Sequence, residues 1–152
     1  MSNGDVPGAA EIRAMIEQVY RMASWQTGDR IDRPPVADGR WVIMQGGVVS
    51  TLIKDDPDGS KAVIALFGRY EIEDGLFRYC YDGGSAMVHR AGGAEPAAIP
   101  VTFGKMMEWS VRRDGDGMVL RSAPASLHLT ARGIDYAENG VVERRWLRLQ
   151  QG

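Results

Sequence analysis

Apolar residues recur at Ile12, Met15, Ile16, Val19, Tyr20 and Ala23, the i, i+3/i+4 spacing of one helical face. Pro7 suits a first helical turn, where its missing N–H would have no partner anyway. Together these predict a single helix over residues 8–25, behind a short terminus at 1–6. The stretch 26–38 holds Gly28, Pro34 and Pro35 among charged residues and reads as a surface loop.

From Gly39 onward the pattern changes to short apolar or alternating runs rich in Val, Ile, Tyr, Phe and Trp, cut by Gly, Asp and Asn. Candidate strands are 40–45, 48–54, 61–73, 76–82, 86–91, 101–113, 118–123, 127–136 and 141–149. The breaks fall at Asp56-Pro57-Asp58-Gly59, Asp74-Gly75, Asp82-Gly83-Gly84, Gly92-Gly93, Asp114-Gly115-Asp116-Gly117 and Asn139-Gly140. Asp-Gly and Asn-Gly are hairpin signals because a type I′ turn needs positive φ at both central residues.

A two-residue turn also dictates which residues face each other. At Asp74-Gly75 it pairs Ile72 with Phe77 and Tyr70 with Tyr79 on one face, and Glu71 with Arg78 on the other. Around Asp114–Gly117, Val111 opposes Leu120 and Trp109 opposes Ser122, while Ser110 opposes Arg121 on the reverse face. Both hairpins thus have an aromatic or apolar inside and a charged outside. Glu108, Ser110, Arg112 and Arg121 belong to that solvated side.

With one helix and no crossover helices, the pattern predicts an all-β fold: an antiparallel up-and-down barrel of about eight or nine strands, closed so that no edge is exposed. Gly46, Gly47 and Gly68 fall inside strand patterns and read as bends. The chain divides into a helix and loop at 1–38 and a barrel at 39–152, forming one domain. At 152 residues it can bury a real core.

Eighteen basic and 20 acidic side chains leave a net charge of −2, too weak a field to draw the chain to nucleic acid or a membrane surface. Cys80 is the only cysteine, so no internal disulfide or thiolate metal site forms. His89 and His128 are the only histidines, and spacing nominates no third metal ligand. No apolar run near the start has the length of a leader or a span, which points to a cytoplasmic protein. No phosphate-loop, GxSxG or HExxH pattern occurs, and no cofactor is implied.

The face carrying Tyr70, Tyr79 and Tyr81, joined by Met107 and Trp109 from a later strand, is the candidate wall of a ligand cavity, although the same rings would also serve to fill a small barrel. His89, His128 and Tyr79 are the candidate proton donors or acceptors. Cys80 lies on the opposite face and reads as a passive thiol. Glu143, Arg144, Arg145 and Arg148 give the last strand a basic cast.

Asp38-Gly39-Arg40-Trp41, opening the first strand, resembles the G-x-W start of lipocalin and calycin barrels. Trp146-Leu147-Arg148 resembles their closing segment, and Phe67-Gly68-Arg69-Tyr70-Glu71-Ile72 is similar to the central hairpin of the bacterial lipocalin-like domain family. The resemblance spans 39–149. It implies a barrel of eight or more strands with an interior that admits one small ligand, with Gly39 and Trp41 structural and Arg148 packed over Trp41. The chain departs from that family in having Tyr79-Cys80-Tyr81 where histidines are expected.

Three functions follow as expectations. The first is binding of a small hydrophobic or aromatic molecule in the cavity. The second is a cofactor-independent isomerase, cyclase or lyase using Tyr or His there. The third is a filled barrel acting as an oligomerisation module. The helix either closes one end of the barrel or packs on a second subunit, which leaves a homodimer open.

Overall fold

A computed structural model of the chain describes residues 5–93 and 95–149; most of the expected terminus at 1–6 lies outside them. One helix, α1 (Ala9–Ile16), precedes twelve strands: β1 (Val19–Thr27), β2 (Arg30–Asp32), β3 (Ala37–Met44), β4 (Gly47–Asp55), β5 (Lys61–Glu73), β6 (Leu76–His89), β7 (Ala97–Ala98), β8 (Met107–Asp114), β9 (Gly117–Ser122), β10 (Ala125–Leu129), β11 (Gly133–Glu138) and β12 (Val141–Arg148). Ten of them form a closed antiparallel barrel in the order β1-β3-β4-β5-β6-β8-β9-β10-β11-β12, with β12 returning to β1. The short β2 and β7 lie off this ring.

The two hairpin registers follow the turn arithmetic. Ile72 pairs with Phe77, Tyr70 with Tyr79 and Glu71 with Arg78. Val111 pairs with Leu120 and Ser110 with Arg121. On the outer face Arg78 reaches Glu108 at 2.7 Å and Glu71 at 3.7 Å, the cross-strand ion pairing expected of a solvated side.

Other elements differ from the sequence reading. The helix ends at Ile16, and residues 19–27 form a strand pairing with β12 on one side and β3 on the other. Val19, Tyr20 and Ala23 satisfy a helical stripe, but Tyr20 and Met22 also alternate with exposed Arg21, and barrel closure selects the period of two. Asp82-Gly83-Gly84 is no turn. Strand β6 runs through it, paired with β5 to His89, with a bulge opposite Phe67/Gly68.

The segment expected as a strand from 101 becomes one only at Met107, and the run 127–136 splits into the hairpin β10–β11. Gln45-Gly46, read partly as a bend, is a tight turn with φ of 53° and 82°, as is Asn139-Gly140. At Asp74-Gly75 only the glycine takes positive φ.

Helix α1 plugs one end of the barrel. Ile12 and Ile16 are fully buried in the cluster that includes Tyr20, Phe77, Val111 and Leu129, and each contributes roughly 1.5–3 kcal/mol by leaving water. Its terminal carbonyls need partners. Tyr20 Oη donates to Ile16 O at 2.9 Å, and Arg148 Nη2 donates to Met15 O at 2.7 Å. Arg113 clamps Glu11 through Nε at 2.7 Å and Nη2 at 2.6 Å. No helix among the described residues is long and apolar enough to cross a membrane.

Candidate functional site

Away from the plugged end, strand alternation turns Ser50 of β4, Tyr79 and Tyr81 of β6, Trp109 of β8, Leu127 of β10, Tyr136 of β11, and Arg144 and Trp146 of β12 toward the axis. Together with Trp41 of β3 they surround a cavity of about 80 Å³. That is several times the space one water needs. Trp41 is the hub, 5.8 Å from Trp146 and 6.3 Å from both Tyr20 and Tyr79. The ring chain continues from Tyr79 edge-on to Tyr81 at 5.7 Å, and toward the helix through Phe77 to Tyr70.

Three polar atoms at this cavity are buried without a hydrogen-bond partner: Trp41 Nε1, Trp109 Nε1 and Arg144 Nε. The Arg144 guanidinium is held between two rings, 4.1 Å from the centroid of Trp25 and 4.8 Å from that of Tyr136. Lys54 Nζ lies 5.0 Å from Trp25 and pairs with Asp56 at 3.2 Å.

Burial pushes the Tyr79 hydroxyl well above the usual phenol range and raises that of Tyr81, with the Ser50 hydroxyl beside Tyr81 tempering the second. Tyr136 is pushed up to about 12, first by burial and then by donating to Glu138 Oε1 at 2.6 Å. All three are therefore neutral hydroxyls at physiological pH.

Of the residues singled out from sequence, the structure brings together Tyr79, Tyr81 and Trp109 at the cavity. Tyr70 is buried at the helix end, where its hydroxyl bonds the Glu17 carboxylate. Met107 is 45% exposed and lies off the cavity lining. His89 is exposed at the end of β6, and His128 is exposed near Ser126 at 3.4 Å.

Trp41, expected as a structural residue, is the centre of the site. Its packing partner is Trp146, while Arg148 bonds the helix end. Gly39 is structural: a Cβ there would stand 2.2 Å from Thr51 O. Cys80 is buried on the outer side, and burial raises its thiol pKa. Among the described residues no group of three His, Cys, Asp or Glu is placed to hold a metal ion.

Sequence reasoning missed Trp25, Tyr136 and Arg144. The usable signal for Arg144 was parity, since it lies two residues before Trp146 and shares its face. Trp25 was hidden by its assignment to the helix. Comparison with protein-family models, with curated proteins and with solved structures finds no match.

Proposed function

We propose that the protein binds a small molecule inside the barrel, between Trp41, Tyr79, Tyr81, Trp109 and Trp146. The observation that carries this reading is the cavity itself. The interior is filled at the helix end, yet space is left where six large rings and several polar atoms converge, although interiors normally pack to crystal-like density. The lipocalin-like resemblance supports the same reading: Gly39 and Trp41 lie in β3, Arg148 ends β12, and barrels of that kind hold one small ligand.

Binding is favoured over cofactor-free isomerase, cyclase or lyase chemistry. The phenols are protonated at neutral pH and burial raises them further, and among the described residues no imidazole or carboxylate lines the cavity to accept a proton.

Native mass spectrometry of protein taken from its source should show a retained small molecule. Ser50→Phe, which grows a ring into the cavity, should abolish retention while the barrel still melts cooperatively. The reading is overturned if the wild type is empty and no small planar compound quenches its tryptophan fluorescence saturably, or if Ser50→Phe binds as well as the wild type.

A further inference from the structure

We infer that the ligand is anionic, a carboxylate on a small planar body, and that Arg144 receives the charge. This rests on the binding reading above and specifies its chemistry. The unpartnered atoms at the cavity are all donors: an indole N–H can only donate, and so can a guanidinium. A buried donor left unpaired costs about 1–3 kcal/mol, and three around one cavity ask for a molecule that brings acceptors.

Arg144 also brings a charge that pairs with no carboxylate among the described residues. Arg13, Arg30, Arg40, Arg69, Arg78, Arg113 and Arg145 each sit against a carboxylate, and Arg148 reaches a carbonyl. Arg144 has only the faces of Trp25 and Tyr136, which orient a guanidinium without neutralising it. The carboxylates nearest along the chain and the rim form no ion pair with it. Glu138 accepts from Tyr136, Asp56 is shared by Lys54 and Arg30, and Glu143, at the bulge of β12, lines a neighbouring pocket beside Arg144 without bonding it. A cationic ligand would meet repulsion, and a neutral one would leave the charge unmet. A carboxylate matches the planar guanidinium fork in two parallel bonds, and a flat body stacks on the surrounding rings.

All four tryptophans, Trp25, Trp41, Trp109 and Trp146, line the cavity or stack on Arg144, so intrinsic fluorescence reports directly on the site. The test titrates benzoate, its neutral isostere benzamide, and inorganic phosphate at one ionic strength. Benzoate should saturate at least about ten-fold more tightly than benzamide. Arg144→Met should lose that advantage, so that benzoate binds no more tightly than benzamide, and Arg144→Lys should restore part of it.

Equal or tighter binding of benzamide, or benzoate binding indifferent to Arg144→Met, overturns the anion inference and leaves the cavity reading standing. Phosphate binding more tightly than benzoate overturns the carboxylate assignment. Loss of benzamide binding in step with benzoate binding in Arg144→Met makes the residue a structural stack and overturns its receiving role. If neither aromatic probe binds saturably, both readings fall together.

Discussion

Asp74 Oδ1 accepts the backbone N–H of Ala9 at 2.8 Å, so the turn of the β5–β6 hairpin caps a helix 65 residues earlier in the chain. The residue at the helix's own N-cap, Gly8, has no side chain to do this. A carboxylate at a helix N-terminus satisfies an orphan donor and complements the helix dipole. Asp74→Ala should therefore destabilise the protein by about 1 kcal/mol in urea denaturation, while Asp74→Asn, which keeps the acceptor, should lose markedly less.

The second tie of the plug is sensitive to acid. The two-pronged Arg113 contact holds the Glu11 carboxyl below its ordinary range. A folded-state pKa depressed in this way contributes stability above the unfolded value, and that stability is lost as pH falls through the folded one. Glu11→Gln should remove this component of acid destabilisation. The check is a pair of melting-temperature profiles taken downward from pH 5, which should converge at low pH.

Alkaline behaviour should be unusual because all five tyrosines are shifted upward, each chiefly by burial. A raised folded-state pKa contributes stability that is fully present below the unfolded value, near 10, and is lost as pH rises through the folded one. For Tyr136 that window runs from about 10 to about 12. Absorbance at 295 nm should show little tyrosinate in the native protein at pH 10. Its appearance should coincide with loss of the near-ultraviolet circular dichroism signal. Smooth titration of several tyrosines before unfolding would contradict the buried placement.

Gly39 lies where β3 and β4 approach too closely for any side chain: a Cβ would stand 2.2 Å from Thr51 O and 3.3 Å from Leu52 Cα. The obstacle is backbone of the neighbouring strand, so Gly39→Ala must move a strand of the barrel. It should cost about 1–3 kcal/mol, lowering the melting temperature by roughly 2–4 °C per kcal/mol in a chain of this size.

Much of the wall of the site could be read in advance, because Tyr79, Tyr81 and Trp109 sit next to turns whose length dictates the register. Tyr70 shares the inward parity of Tyr79 but lies nearer the plugged end, where Glu17 takes its hydroxyl. Parity separates inside from outside; it says nothing about depth along the barrel axis. Arg144 was obscured for a related reason. In composition it is one of four charged residues in the last strand; parity with Trp146 turns it inward, and the rings of Trp25 and Tyr136, brought from β1 and β11, complete its setting.

The sequence by itself determined the meander in outline: the hairpins at Asp74-Gly75, Asp114–Gly117 and Asn139-Gly140, and which face of the first two is apolar. Those properties depend on alternation and turn chemistry within about ten residues. Only the tertiary structure decided that residues 19–27 are a strand, that β12 closes onto it, and that α1 plugs one end and leaves the cavity toward the other. Closure joins segments more than a hundred residues apart. Its stability comes from pairing and burial that neither segment has alone, so no local pattern records it.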